Sequence, residues 1–192
     1  MNILAFRGSP RKGGNSDTLL DAVLQGVVTG GGTPDIIRLC DHKISPCISC
    51  GGCDKTGKCV VDDDMTPLYE KILNTNRIIL ASPIFFYGIT AQAKAFIDRM
   101  QALWNRKRLL LEKGEYREDP NRKGLFLSVA ASRGPRVFEG AVLTMKYGFD
   151  AMDVRYSDEL LLKGIDQRGA MADLKEQMHL AEELGREFVS GE

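Results

Sequence analysis

Four cysteines in the stretch CISCGGCDKTGKC, Cys47, Cys50, Cys53 and Cys59, form the pattern CxxCxxCxxxxxC. Thiolates are soft ligands suited to iron–sulfur clusters and to zinc. Three at this close spacing can wrap three irons of one cubane and a nearby fourth can close it, which is the ligation a [4Fe–4S] cluster requires. Gly51 and Gly52 let the backbone turn tightly around such a core. A structural zinc site usually splits its ligands into two pairs roughly a dozen or more residues apart, so the loop is too compact for that arrangement, though not incapable of binding zinc. Empty thiols or a disulfide are further states open to it. Cys40 stands apart at a strand end and is expected to be a buried apolar residue rather than a ligand.

A second stretch with chemical character is LAFRGSPRKGGNSDTLL, Leu4 to Leu20, an apolar run that stops in a loop of glycine, serine, arginine and lysine and resumes at helical spacing. Backbone N–H groups freed by glycines, together with a helix N-terminus, make a nest for phosphate. Ser9, Asn15 and Ser16 can donate hydrogen bonds to it and Arg11 adds charge. The P-loop pattern GxxxxGK[ST] is not met, because Gly8 is followed by Gly13, Gly14 and Asn15; the dinucleotide fingerprint GxGxxG already fails at Gly8-Ser9-Pro10. A plain glycine-containing turn before a capped helix would use the same residues.

The elements that must carry these loops follow from hydrophobic periodicity. Strands are expected at Asn2 to Gly8, Asp35 to Cys40, Arg77 to Ser82, Gly124 to Ser132 and Val154 to Leu162. Helices are expected between them: one capped by Ser16 or Asp17 and ending at the Gly30 to Gly32 run, one capped by Asp64 or Thr66, one from Ala91 to about Leu110, one from about Val137 to Phe149, and one from Met171 to Val189. Strands alternating with helices imply parallel pairing with right-handed crossovers and helices on both faces of the sheet. The expected fold class is therefore α/β, a single domain over residues 1–192, interrupted by a cysteine-rich loop at about 41–63 and a polar loop from Lys113 to Lys123.

With 192 residues the chain can bury a core without covalent staples. Its zero formal net charge gives no broad attraction for nucleic acid or anionic membrane, and no apolar run approaches the roughly 20 residues of a spanning helix. The opening NILAF lacks the basic start of a signal peptide, and the expectation is a cytoplasmic protein. The only histidines, His42 and His179, form no nucleophile–base set, so no catalytic side chain is expected.

GSPRKGGNS resembles the phosphate loop of flavodoxin-like proteins of the NADPH-dependent FMN reductase group. ASPIFFYGITAQAKAFIDRM, Ala81 to Met100, resembles that group's segment after the third strand, which lies along the isoalloxazine ring and then enters a helix carrying a Lys and IDR. The resemblance covers nearly the whole order of elements and implies a flavodoxin-like three-layer sandwich around a five-stranded parallel sheet. It implies that Ser9, Arg11, Asn15 and Ser16, with Gly14 among them, hold the FMN phosphate, and that Pro83, Ile84, Phe85, Phe86, Tyr87 and Gly88 line the ring. One of Phe85 and Phe86 is expected to be a core aromatic instead. The loop ASRGPR, Ala131 to Arg136, lies at the same sheet edge.

The cysteine loop resembles that of the iron–sulfur flavoproteins, which implies a [4Fe–4S] cluster on Cys47, Cys50, Cys53 and Cys59 that exchanges electrons with FMN and with a ferredoxin-like carrier. Two alternatives remain: a flavin-only NAD(P)H-dependent reductase of FMN, a quinone or another small-molecule acceptor, and a metal- or phosphate-binding regulatory module. The last leaves SPIFFYG unexplained. Proteins of this resemblance are usually homodimers or homotetramers, and Trp104 with several leucines in MQALWNRKRLLL is a candidate subunit contact.

Overall fold

The computed structural model describes residues 1–190. The strands β1 (Asn2–Arg7), β2 (Thr33–Arg38), β3 (Arg77–Pro83), β4 (Lys123–Ala130) and β5 (Arg155–Lys163) form one sheet in the order β2-β1-β3-β4-β5, and every pairing is parallel. After β1 the chain crosses to one side of the sheet, and after β2 it crosses to the other. The loops leaving β1 and β3 therefore diverge and open a crevice between them, the place where doubly wound sheets bind ligands.

Successive residues of the central strands serve opposite faces. Leu4, Phe6, Ile78, Leu80 and Phe126 pack beneath α2 (Thr66–Leu73), α3 (Ala91–Asp98), α4 (Gln101–Glu112) and α5 (Glu139–Ala151). Ile3, Ala5, Ile79, Leu125 and Leu127 pack beneath α1 (Asn15–Thr29), α6 (Ala170–Asp173) and α7 (Lys175–Ser190). Burial on both faces explains why β3 reads as an unbroken apolar run rather than an alternating one. This is the expected flavodoxin-like three-layer sandwich. No described helix is long and apolar enough to cross a membrane.

Five local expectations are corrected. The helix expected to be capped by Asp64 or Thr66 is α2, whose cap position is Met65, with no side-chain cap. The helix expected from Ala91 to about Leu110 is two, α3 and α4, broken at Arg99 and Met100. There Arg99 turns its side chain inward and is 1% exposed, and the Met100 N–H shortens to the i−3 carbonyl of Ile97. The helix expected from Met171 to Val189 is also two, α6 and α7, interrupted at Leu174. Neither Ser16 nor Asp17 caps α1: Gly14 occupies the cap position, Ser16 is buried in the first turn, and Asp17 turns back to accept the Gly13 N–H at 3.0 Å. Cys40, expected in the core, is half-buried in a 3₁₀ turn after β2, with Sγ 3.8 Å from the Ser9 carbonyl oxygen.

Candidate functional site

The loop leaving β1 is locked to β3 before it can act on anything. The Gly8 N–H donates to the Ala81 carbonyl at 2.7 Å, and a Cβ at position 8 would stand 2.9 Å from that same oxygen, so the approach requires glycine. Thr90, fully buried, donates its hydroxyl to the Gly8 carbonyl at 2.5 Å and accepts the Ala93 N–H as the cap of α3. Ser82 accepts the Thr90 N–H, and Ser128 donates to the Ser82 carbonyl at 2.7 Å. Buried and mutually satisfied, these hydroxyls fix the ends of β1, β3 and β4 against α3. Sequence reasoning missed all three; the available signal was a Ser within each of β3 and β4 and a Thr just before α3.

Beyond Gly8 the loop forms the floor of a crevice of about 240 Å³, lined by Ser9, Arg11, Gly14, Asn15 and Ser16 on one side. Pro83, Ile84 and Phe85 line the other, and Val129, Ala131, Ile165 and Asp166 close it. Eight of the predicted site residues thus share one crevice. Gly14 supplies no side-chain cap, so the first-turn N–H groups of α1 are left for an external acceptor. The Asp17 carboxylate in that turn is balanced within the fold by Arg38 at 2.6 Å and Arg7 at 3.6 Å. That pairing cancels a charge that would otherwise oppose an anion.

Asn15 has a role the sequence did not show. Its Nδ2 donates to the Gln167 carbonyl at 2.8 Å, and its Oδ1 accepts the N–H groups of Gly169 at 3.1 Å and Met171 at 3.3 Å. The side chain expected at the phosphate thus also tethers the β5–α6 loop, whose Ile165 and Asp166 line the crevice with it.

Phe86, Tyr87 and Gly88 do not line this crevice. Phe85 and Gly88 exchange N–H···O bonds of 2.9 and 3.0 Å around a tight turn whose central residues, Phe86 and Tyr87, have φ of 49° and 64°. Two non-glycine residues in the left-handed region store strain on the order of 1–3 kcal/mol each. The turn stands at the crevice mouth with Phe86 fully exposed and Phe85 52% exposed. Neither is a core aromatic, because the bridge turns both outward.

The cysteine loop makes a second, separate site. Cys47, Cys50, Cys53 and Cys59 line a cavity of about 250 Å³ together with Arg99, Gln101 and Ala102, and no residue lines both this cavity and the crevice. No two of the five cysteines are joined in a disulfide. Gly51, at φ 71°, makes the tight turn its position suggested. Among the described residues no three His, Cys, Asp or Glu side chains converge as a single metal ion requires.

Arg99 fastens this loop. Its Nη1 donates to the Ser45 carbonyl at 3.0 Å and to Asp63 Oδ2 at 2.8 Å, and its Nη2 donates to the Val61 carbonyl at 3.0 Å. Asp63 also accepts the N–H groups of Ser45 and Met65. Burial alone would raise its pKa, but the Arg99 guanidinium and these N–H groups outweigh that and hold it at about 2. For Arg99 the balance is likewise between burial, which would lower its pKa, and Asp63, which raises it further. The IDR segment marked this residue only as part of a resemblance; its contacts come from the fold.

Sheet order and the crevice between β1 and β3 together define a flavodoxin-like fold. The chain belongs to the NADPH-dependent FMN reductase family, whose pattern matches residues 1–155. It is 36% identical over 133 residues to an iron–sulfur flavoprotein of Methanosarcina thermophila, covering 69% of this chain and 65% of that protein. It is 39% identical over 116 residues to an iron–sulfur flavoprotein of Archaeoglobus fulgidus, covering 60% of this chain and 51% of that protein. The chain thus spans about half to two thirds of the length of these curated relatives. An NAD(P)H:quinone oxidoreductase of Methanothermobacter marburgensis superposes with a TM-score of 0.72 at 16% identity, over 98% of this chain and 96% of that one, a likeness of fold.

Proposed function

We propose that this protein is an iron–sulfur flavoprotein, an FMN-dependent oxidoreductase that passes electrons between a [4Fe–4S] cluster in the cysteine cavity and FMN in the crevice. The observation that carries the reading is that four thiols share one cavity in a chain that also holds an anion-binding crevice at the sheet's switch point. The donor set suits the cluster: four thiols supply the ligands of a cubane, and they border a common cavity instead of converging on one ion. The crevice suits FMN because its polar floor and apolar walls match a phosphate and a flat ring.

When bound, FMN exchanges electrons singly or in pairs and a cubane exchanges them singly, so together they join one- and two-electron partners. The rest is done by the chain. The first-turn N–H groups of α1, Ser9, Ser16 and Arg11 hold the phosphate, while Pro83, Ile84 and Phe85 orient the ring. Ile165, drawn in by Asn15, excludes water from the inner end of the crevice. Phe86, Tyr87 and Gly88 form the outer turn against which an electron donor or acceptor docks. Cys47, Cys50, Cys53 and Cys59 ligate the cluster. The partners are a ferredoxin-like carrier or a small-molecule acceptor, with NAD(P)H as a further donor, in a cytoplasmic homodimer or homotetramer acting neither on nucleic acid nor at a membrane.

A second reading, a flavin-only NAD(P)H-dependent reductase, draws on the exposure of Cys47 and Cys50, which an empty loop tolerates. An anaerobic absorption spectrum with iron and acid-labile sulfide analysis decides between them. Flavin bands over an iron–sulfur shoulder, with about four irons per chain, are expected. Flavin bands alone, in protein kept from oxygen, would make the second reading the account of this chain.

A further inference from the structure

One wall of the cysteine cavity comes from outside the loop. Asn105 on α4 is 2% exposed, and its Nδ2 lies 3.2 Å from Cys53 Sγ and 3.1 Å from Asp54 Oδ1. The orientation of the amide is not arbitrary. An ionised Asp54 carboxylate only accepts, so the nitrogen and not the oxygen must face it, and the Arg108 Nε–H at 3.5 Å from Asn105 Oδ1 agrees with that choice. Arg108 in turn holds Asp54 by donating to its carbonyl at 2.7 Å. The two amide hydrogens are thus directed to Asp54 and to the sulfur of Cys53. Nearby, Arg99 lines the same cavity with its Nε–H buried and without an acceptor. The break between α3 and α4 therefore brings a fixed amide donor and a buried cation to a site whose occupant is anionic.

We propose that Asn105 is a positioning residue that sets the reduction potential of the group held by the cysteine loop, by donating a hydrogen bond to Cys53 Sγ. This rests on the cluster reading above. Reduction places more negative charge on the sulfurs, and a donor already aimed at one of them strengthens as that charge grows. Burial removes competing water, so the bond favours the reduced state and raises the potential. The Arg99 charge is paired with Asp63, so its contribution is the buried Nε–H that lines the cavity without an acceptor.

The test is Asn105→Leu, close in volume but without a donor, and Asn105→Ser, which removes the amide with less bulk, each purified anaerobically beside the wild type. Iron, sulfide and flavin contents are measured first, then the cluster potential by redox titration followed by electron paramagnetic resonance. The expected result is unchanged iron with the one-electron equilibrium moved against the reduced form by about three- to tenfold, tenfold being about 59 mV. A wild-type potential in either variant at full iron content would overturn the proposal and leave the cluster reading standing. Loss of iron from both variants, with flavin retained, would also overturn it by making Asn105 structural. Absence of iron from the anaerobic wild type would instead overturn the cluster reading and this inference with it.

Discussion

The crevice and the cysteine cavity are built in opposite ways. The crevice comes from the sheet itself: the ends of β1 and β3 diverge, backbone N–H groups face the gap, and the buried hydroxyls of Ser82, Thr90 and Ser128 hold the walls. The cysteine cavity comes from an excursion between β2 and α2, and it is attached to the body of the protein by Arg99 and by Asn105 and Arg108 of α4. A site that belongs to the topology fails when a strand end shifts, whereas a site on an inserted loop fails when its fastening is cut. The two should therefore be separable by mutation.

The largest separation is expected from Arg99→Met. It strips Asp63 and the Ser45 and Val61 carbonyls of their donor at a partly buried site, a loss of about 1–3 kcal/mol. Thermal unfolding should show that loss and iron should be absent, while flavin titration stays within about threefold of wild type, RT ln 3 being well under 1 kcal/mol. Flavin lost in parallel would show the two sites to be one.

Gly8→Ala is the reciprocal cut. The added methyl meets the Ala81 carbonyl at 2.9 Å and the Ala93 Cβ at 3.2 Å, backbone and close-packed core that cannot yield cheaply. Overpacking of this kind costs about 1–3 kcal/mol, and FMN affinity should fall about tenfold or more with iron content unchanged. Asn15→Leu should act more mildly, because the first-turn N–H groups survive it. Loss of the tether to the β5–α6 loop should weaken FMN about tenfold, as seen by fluorescence titration, with faster hydrogen exchange over residues 165–171. Unchanged affinity would show that the loop does not cover the flavin.

The smallest effect is one of pH. Asp63 is held at about 2 in the folded protein, below its ordinary 3.8, so its stabilisation is complete above about pH 4 and is lost as the pH falls through about 2. Chemical unfolding between pH 5 and pH 2 should lose stability over that window, and Asp63→Asn should flatten this part of the profile. An equal slope in the variant would remove Arg99–Asp63 as the fastening of the loop.

The order of elements, the parallel sheet and the two chemical loops were legible in the chain. Apolar runs and helical spacing encode local structure, and CxxCxxCxxxxxC or a glycine-rich turn is written in neighbouring residues. Which distant groups complete each loop emerges only from the folded chain. Asn15 meets residues 167–171 and Thr90 meets Gly8 through pairings far apart in the chain. The break at Arg99 is of the same kind: nothing in Ala91 to Leu110 interrupts a helical pattern, and the helix turns there because its guanidinium finds Asp63 and two loop carbonyls. Even the outward course of Phe85 and Phe86 follows from a backbone bridge to Gly88, which apolar composition cannot signal. Periodicity records which face of an element is buried; it carries no information on which donor from elsewhere in the chain will reach a sulfur or a carbonyl.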